Sequence, residues 1–293
     1  GSNSKLLSGE LSSLLSGRYV ENIVFPFSYE EYTSYQKIEK SRNTYLQYLQ
    51  TGGLPELFHL PNNETKQNYL KSLRDTIVLR DIIQRYSVKD PILLSDIFTY
   101  LVNNLSVLTS VTNLVNYWKS KKRKTTYETV ASYMDYFTQT YLLHQCERYD
   151  IKGKDILGGQ YKYYLNDLSF VNYLFSGNQQ GLGRLLENLI FLQLRRSGFI
   201  VYVGHLRQKE IDFVTKKFDK TLYIQVAFQI DDPSTEKREQ SSLLSVNDNY
   251  EKWIITMDEE FIGERNGIKY FHPWELENRL SNWEKQWVIP STN

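Results

Sequence analysis

LGRLLENLIFLQLRRSGFIVYVGHLRQKEIDFVTKKFDKTLYIQVAFQI (182–230) changes period twice. Leu182 to Arg196 carries apolar residues at helical spacing. Glu187 shares a face with Ile190, Phe191 and Leu194 at i+3, i+4 and i+7, so the spacing points its carboxylate toward the core. An ionised carboxylate there costs several kcal/mol unless it is paired or metal-bound. After Ser197-Gly198, Phe199 to Val203 is a short apolar run that reads as a strand. Glu210 to Val214 (EIDFV) reads as a second, with Glu210 and Asp212 on one face and Ile211 and Phe213 on the other. KKFDK is a tight turn, and Thr221 to Ile230 then alternates. Leu222, Ile224, Val226 and Phe228 face one layer; Tyr223, Gln225, Ala227 and Gln229 face the other.

Downstream, Thr235 to Ser245 reads as a charged helix crossing the sheet, and Trp253 to Met257 as a strand parallel to its predecessor. Ile268 to Phe271 is a last short strand and Glu275 to Trp287 a last helix. Upstream, Gly177 to Gly183 is a polar, glycine-rich break. Before it the pattern is helical: 41 to 51, 64 to 86, Pro91 to Val102, Val111 to Trp118 and Tyr127 to Leu143. Glu147 to Asp150 and Tyr161 to Leu165 read as two strands around a glycine-rich loop. Three helices followed by a hairpin is the order of a winged helix-turn-helix. Lys119, Lys121, Lys122, Arg123 and Lys124 place five cations in six residues just before the third helix. That run reads either as a set of DNA phosphate contacts or as a solvated linker. Thr125, Thr126, Glu128 and Thr129 open the helix without an Arg or Asn to read bases, so little sequence specificity is expected.

Near the N-terminus, Ser4 to Ser16 has leucines near helical spacing, Tyr19 to Phe25 reads as a strand, and Ser28 with Glu31 forms a capping-box pattern. These pieces read as the tail of a larger α/β layer. The 293 residues suit two or three compact units, and 41% hydrophobic residues suffice for their cores. The 35 basic and 34 acidic side chains exclude a uniformly basic coat while allowing a local patch. The single cysteine, Cys146, excludes an intramolecular disulfide framework and fits a reducing, cytoplasmic compartment. No apolar run reaches membrane-spanning length, and His59, His144, His205 and His272 lack zinc spacing.

Two resemblances add to this reading. GSNSKLLSGELSSLLSGRYVENIVFPFSYEEY (1–32), LKSLRDTIVLRDIIQRY (70–86), YIQVAFQI (223–230) and IITMDEE (254–260) together resemble the C-terminal part of a bacterial and archaeal family of AAA+-type ATPases. By that resemblance Ser2 and Asn3 match the polar sensor position, Asn3 and Arg18 lie near nucleotide, and ATP with Mg²⁺ belongs to a phosphate loop preceding residue 1. No G-x-x-x-x-G-K-[ST] run is present: Gly153-Lys154 leads into Asp155. IITMDE without that loop reads as a core strand and an acidic turn, so no ATP hydrolysis is expected of this chain. Separately, the helical Glu, strand Asp and following strand pair resemble the PD-(D/E)xK nuclease fold. The resemblance implies catalytic positions at Glu187, Asp212 and Gln225, with Mg²⁺ held by Asp212 and Glu187 if the site is active. Its lysine position is Ala227, although Lys209 and Lys217 lie nearby in sequence. Losing that cation costs roughly a hundredfold in rate.

The expected fold class is therefore multidomain α and α/β. Residues 1–40 are an ATPase-core remnant, 41–165 a helical and winged-helix-like region, and 166–293 a nuclease-like α/β domain. The expected role is non-hydrolysing binding of DNA or a protein partner, or self-association, with no membrane and no required cofactor. A metal-dependent DNA endonuclease and a protein-binding adaptor are the alternatives.

Overall fold

The computed structural model of the chain describes residues 22–175, 181–230 and 233–286. Its contacts divide the chain into two units, one of residues 1–27, 50–146 and 158–180, the other of 28–49, 147–157 and 181–293.

In the first unit, helix α3 (Asn63–Asp75) runs into a π-helical stretch, Thr76–Gln84. Helices α4 (Pro91–Asn103), α5 (Val111–Ser120) and α6 (Tyr127–Gln139) follow. Their starts are written in the sequence: Asp90, Ser110 and Thr126 each accept the backbone N–H three residues on. Their apolar faces bury Ile97, Phe98 and Leu101, Leu114 and Val115, and Val130, Met134 and Phe137. The rings of Phe98 and Phe137 meet at 5.3 Å. Asp167, fully buried in this unit, accepts the backbone N–H groups of Gly53 at 2.7 Å and Ser169 at 2.9 Å. Burial nevertheless holds its carboxyl above the usual range. Gly52 has φ +74°, and a Cβ there would stand 2.2 Å from the Asp167 Oδ1.

The second unit opens with α1 (Tyr29–Gln36), where Ser28 and Glu31 form the capping box their spacing predicts. Helix α2 (Arg42–Thr51) runs to Leu49 within this unit. Helix α7 spans Leu182–Arg196, the bounds of the apolar spacing. Strands β1 (Leu143–Asp150) and β2 (Asp155–Leu165) contribute the end of their hairpin, and β3 (Ile200–Leu206), β4 (Lys209–Lys217) and β5 (Lys220–Ala227) follow. Then come α8 (Pro233–Leu244), β6 (Glu251–Thr256), β7 (Gly263–Arg265), β8 (Ile268–Phe271) and α9 (Leu276–Lys285). The strands form one mixed sheet of eight in the order β2-β1-β3-β4-β5-β6-β8-β7. β5 and β6 are parallel across α8, as the crossover rule requires.

This sheet corrects the expected fold class. β1 pairs in parallel with β3, placing Arg148 beside Val203 and Asp150 beside His205. The hairpin is therefore an integral edge of the sheet and not the free wing of a winged helix. A separate nuclease-like domain over 166–293 is likewise replaced, because 28–49 and 147–157 join the strands from that region. Within the expected ATPase remnant, residues 22–28 form no strand; the rest of that strand, the leucine-rich helix, Asn3 and Arg18 lie outside the described residues. The coarse mixed α/β assignment holds.

β3 and β4 meet around Gly204, where a Cβ would approach the Val214 Cγ2 to 2.7 Å, the Ile211 Cβ to 3.0 Å and the Ile151 Cδ1 to 3.2 Å. Gly204→Ala should lower stability by about 1–3 kcal/mol through overpacking. Urea denaturation followed by tryptophan fluorescence measures it; an unchanged midpoint would show that the β1–β3–β4 seam is looser than these approaches require.

Candidate functional site

The positions resembling a nuclease site depend on one irregularity in β4. Tyr202 opposes Val214 and Gly204 opposes Ile211, so β4 has one residue more than β3 between these pairs. Strict alternation fails there. Ile211 and Val214 both pack in the layer that includes Tyr223, Ala227 and Leu243 of α8. Phe213 instead meets Phe191 of α7, ring to ring at 6.2 Å. Asp212 stands where the strand changes face.

There the Asp212 Oδ2 accepts the Val226 N–H at 2.8 Å. The Asp212 N–H donates to the Gln225 Oε1 at 3.3 Å, and the Gln225 Nε2 donates to the Glu239 Oε2 at 3.2 Å. Glu239, on α8, also accepts from Arg238 at 2.9 Å. Asp212 and Gln225 are thus brought together. Glu187 is 9% exposed, as is Asp212. It sits on α7, one turn from Phe191 and so in the Phe213 layer, whereas alternation and the bond to α8 put Gln225 in the opposite one. Ala227 is buried beside Tyr223 in the α8 layer. The two nearby lysines are committed elsewhere. Lys209 donates to the Ser241 carbonyl and the Ser245 hydroxyl, both at 2.8 Å. Lys217 donates to the Ser197 carbonyl at 2.7 Å and pairs with Glu284 at 2.7 Å.

Mg²⁺ requires several converging oxygens in near-octahedral array. Here the Asp212 Oδ2 and the Gln225 Oε1 are turned onto backbone donors. Among the described residues no group of three or more His, Cys, Asp or Glu side chains gathers as a metal site. Those two oxygens are thus engaged by backbone donors and are not gathered around a cation. Glu239, which no spacing in the charged 235–245 stretch singled out, is the residue that completes the network.

The basic run lies in the first unit, at the corner between α5 and α6. Lys119, Lys121, Lys122 and Lys124 are exposed. Arg123 is drawn inward: its Nη2 donates to the Asp90 Oδ1 at 2.9 Å and Oδ2 at 3.1 Å, and its Nη1 to Asp96. Asp90 caps α4, so Arg123 ties the corner to a helix start. Tyr117 and Tyr127 flank the run, 40% and 52% exposed, with the Lys121 ammonium 5.8 Å from the centre of the Tyr117 ring.

Residues 42–181 match a family described as "Domain of unknown function (DUF8612)". Over 283 residues the chain is 34% identical to an "Uncharacterized protein" of Haemophilus influenzae, which covers 94% of this chain and 70% of that one. Over 279 residues it is 28% identical to "Uncharacterized protein MJ1544" of Methanocaldococcus jannaschii, covering 89% and 62% respectively. The chain therefore spans somewhat under two thirds of the archaeal protein. Among solved structures, the crystal structure of protein VC1899 from Vibrio cholerae aligns with 85% of this chain and 61% of that one, at 12% identity and a TM-score of 0.24. A likeness that slight carries no argument. No helix among the described residues is long and apolar enough to cross a membrane.

Gln225→Glu should set two carboxylates against each other at the Glu239 contact, raising the folded-state pKa of one of them. Stability from that pair is then present in acid and lost as pH rises through the raised value. The variant should match the parent protein near pH 5 and lose roughly 1–2 kcal/mol by pH 8. Urea midpoints at both values check this, with Gln225→Met as the uncharged control; a loss independent of pH would break the assignment.

Proposed function

This chain belongs to the family of the Haemophilus influenzae protein, and we propose that it acts there as a DNA-binding part that cleaves no phosphodiester itself. The observation that carries the reading is the α5–α6 corner. Four lysines project into solvent while the fifth cation of the run, Arg123, is built into the scaffold that positions them. Clustered ammonium groups repel one another, and a phosphate backbone relieves that repulsion while releasing its own counterions. Lys119 also lies in the last turn of α5, where the helix dipole favours a cation. The helix after the corner presents Thr126, Tyr127 and Glu128 to solvent, a set suited to contacting a backbone and poor at reading base edges. Binding should therefore depend on salt more than on sequence.

Absence of cleavage follows from the commitments of the other site. Asp212 and Gln225 direct oxygens at backbone donors, and no ammonium stands at position 227. A phosphorane would lack the positive charge that stabilises it. The proposal calls for no cofactor in this chain.

Duplex binding measured by fluorescence anisotropy against salt tests the corner. Replacing Lys119, Lys121, Lys122 and Lys124 by Gln should reduce the slope of log K against log salt by about 3.6 if all four touch phosphates, since each contact contributes roughly 0.9. A parent protein with no salt dependence would sink the reading in favour of a protein-binding adaptor. Incubation of plasmid and branched DNA with Mg²⁺ or Mn²⁺ should give no cutting; cutting that disappears in Asp212→Ala would make the chain an endonuclease.

A further inference from the structure

A second basic surface lies wholly within the second unit. A cleft of about 1030 Å³ lies on the α8 side of the sheet, walled in part by Ser245 to Asp248 just after that helix. Six cations line it: Lys152 and Lys154 on the β1–β2 turn, Arg207 on the β3–β4 turn, Lys209 at the start of β4, where Ser241 and Ser245 hold its ammonium, Lys216 near the end of β4, and Lys220 at the start of β5 beside Asp219. Asp219 and Asp248 are the acidic residues on its wall, and the Asp248 Oδ2 accepts the Tyr223 hydroxyl at 2.7 Å. Four aromatic residues, Tyr149, Phe218, Tyr223 and Tyr250, also line it. The Lys216 ammonium lies 3.7 Å from the centre of the Tyr149 ring and 5.7 Å from that of Tyr202, so its charge is held in place over the floor.

Phe218 is the telling residue. Lys217 pairs with Lys220, so Phe218 and Asp219 form a two-residue turn. Phe218 is its first residue, has φ +54° and is 87% exposed. Glycine or asparagine would take that conformation at less cost, and either would be better solvated. A phenyl ring at this position strains the backbone and wets an apolar surface, so the turn itself does not call for it. Arg207 repeats the pattern at the other end of β4: it is exposed, with φ +58°, and opens the two-residue turn closed by Leu206 and Lys209. Strained, exposed residues of this kind at the rim of a charged cleft indicate a ligand that offsets their cost.

We propose that this cleft binds single-stranded nucleic acid, with phosphates on the cations and a base stacked on Phe218. Charge selects a polyanion. The exposed ring selects one with accessible π-faces, which a single strand offers and a duplex keeps inside its stack. Cations stand at both ends of β4, whose nine residues span roughly 30 Å at about 3.3 Å each. A single strand of about four nucleotides or more, the lower bound of comparable sites, suits that run. This site is separate in residues from the α5–α6 corner, and either can fail without the other.

The test uses the full chain and a fluorescein-labelled oligothymidylate of about twelve nucleotides, with a duplex of equal length and inorganic polyphosphate as competitors. Phe218→Gly should keep or raise the thermal midpoint, because glycine suits the turn, while weakening oligothymidylate binding roughly fivefold to hundredfold. Phe218→Trp should bind about as tightly as the parent protein. Changing Lys152, Lys154 and Arg207 together to Gln should weaken binding at least about tenfold and lower the single-strand salt slope by about 2. Unaltered affinity in both the Phe218→Gly and the triple variants would overturn the proposal. So would duplex or polyphosphate competing as well as oligothymidylate. Neutralising Lys119, Lys121, Lys122 and Lys124 reads the corner alone, and oligothymidylate binding that survives it but falls in the Phe218→Gly variant places the single strand in the cleft.

Discussion

The second unit turns on the extra residue that β4 carries between Ile211 and Val214. In a regular strand without this bulge, side chains three positions apart would point to opposite faces. With it, both enter the α8 layer, and Phe213 is free to meet Phe191 under α7. The regular β4–β5 pairing runs to Phe213 and Ile224, and beyond it the Asp212 carboxylate takes up the Val226 N–H. The bond is part-buried, and it gives that N–H a side-chain acceptor where the strand-to-strand ladder supplies none. The acid to which the nuclease resemblance gave a metal thus functions as a backbone acceptor.

Gln225 extends that logic. Its amide is neutral, and it joins the Asp212 N–H to the Glu239 carboxylate without adding a charge to the interior. A carboxylate at 225 would face Glu239 at the distance of a hydrogen bond with no proton between them. The neutral side chain keeps two acids in one neighbourhood, each with donors of its own: Val226 N–H for Asp212, Arg238 and Gln225 for Glu239. Such a network is stable only while every member is satisfied, so the loss of one side chain is felt by the others.

Much of this was legible in the sequence, where the signal was local. The apolar spacing gave α7 its bounds, and Ser28 with Glu31 announced the start of α1. Alternation over 221–230 gave β5, and the crossover rule gave its parallel partner β6. Two of the failures depend on partners distant in the chain. LHQCERYD contains nothing to say that Arg148 will lie beside Val203, some fifty residues on, so its hairpin read as a wing. EIDFV alternates on paper; only its pairing with β3 shows the added residue. The π-helical stretch at 76–84 keeps the apolar stripe of an α-helix, and so was invisible to periodicity. β7, three residues long, is too short for any period to register.

The same reasoning separates the two basic surfaces. KSKKRK is contiguous, so its charge stands out even in a chain of net charge +1, and the structure adds only that Arg123 belongs to the scaffold. The cations of the cleft come from three separate turns at 152–154, 207–209 and 216–220. Each alone is an ordinary lysine-bearing loop, with nothing to distinguish it from a solubilising surface. The parallel β1–β3 pairing lays the first of these turns beside the others, and the bulge in β4 directs Val214 toward the same layer as Tyr149 and Tyr223. The field at the sheet face is therefore a product of topology and not of composition. A near-neutral chain can concentrate positive potential over one groove because the fold, and not the count of residues, decides which charges share it.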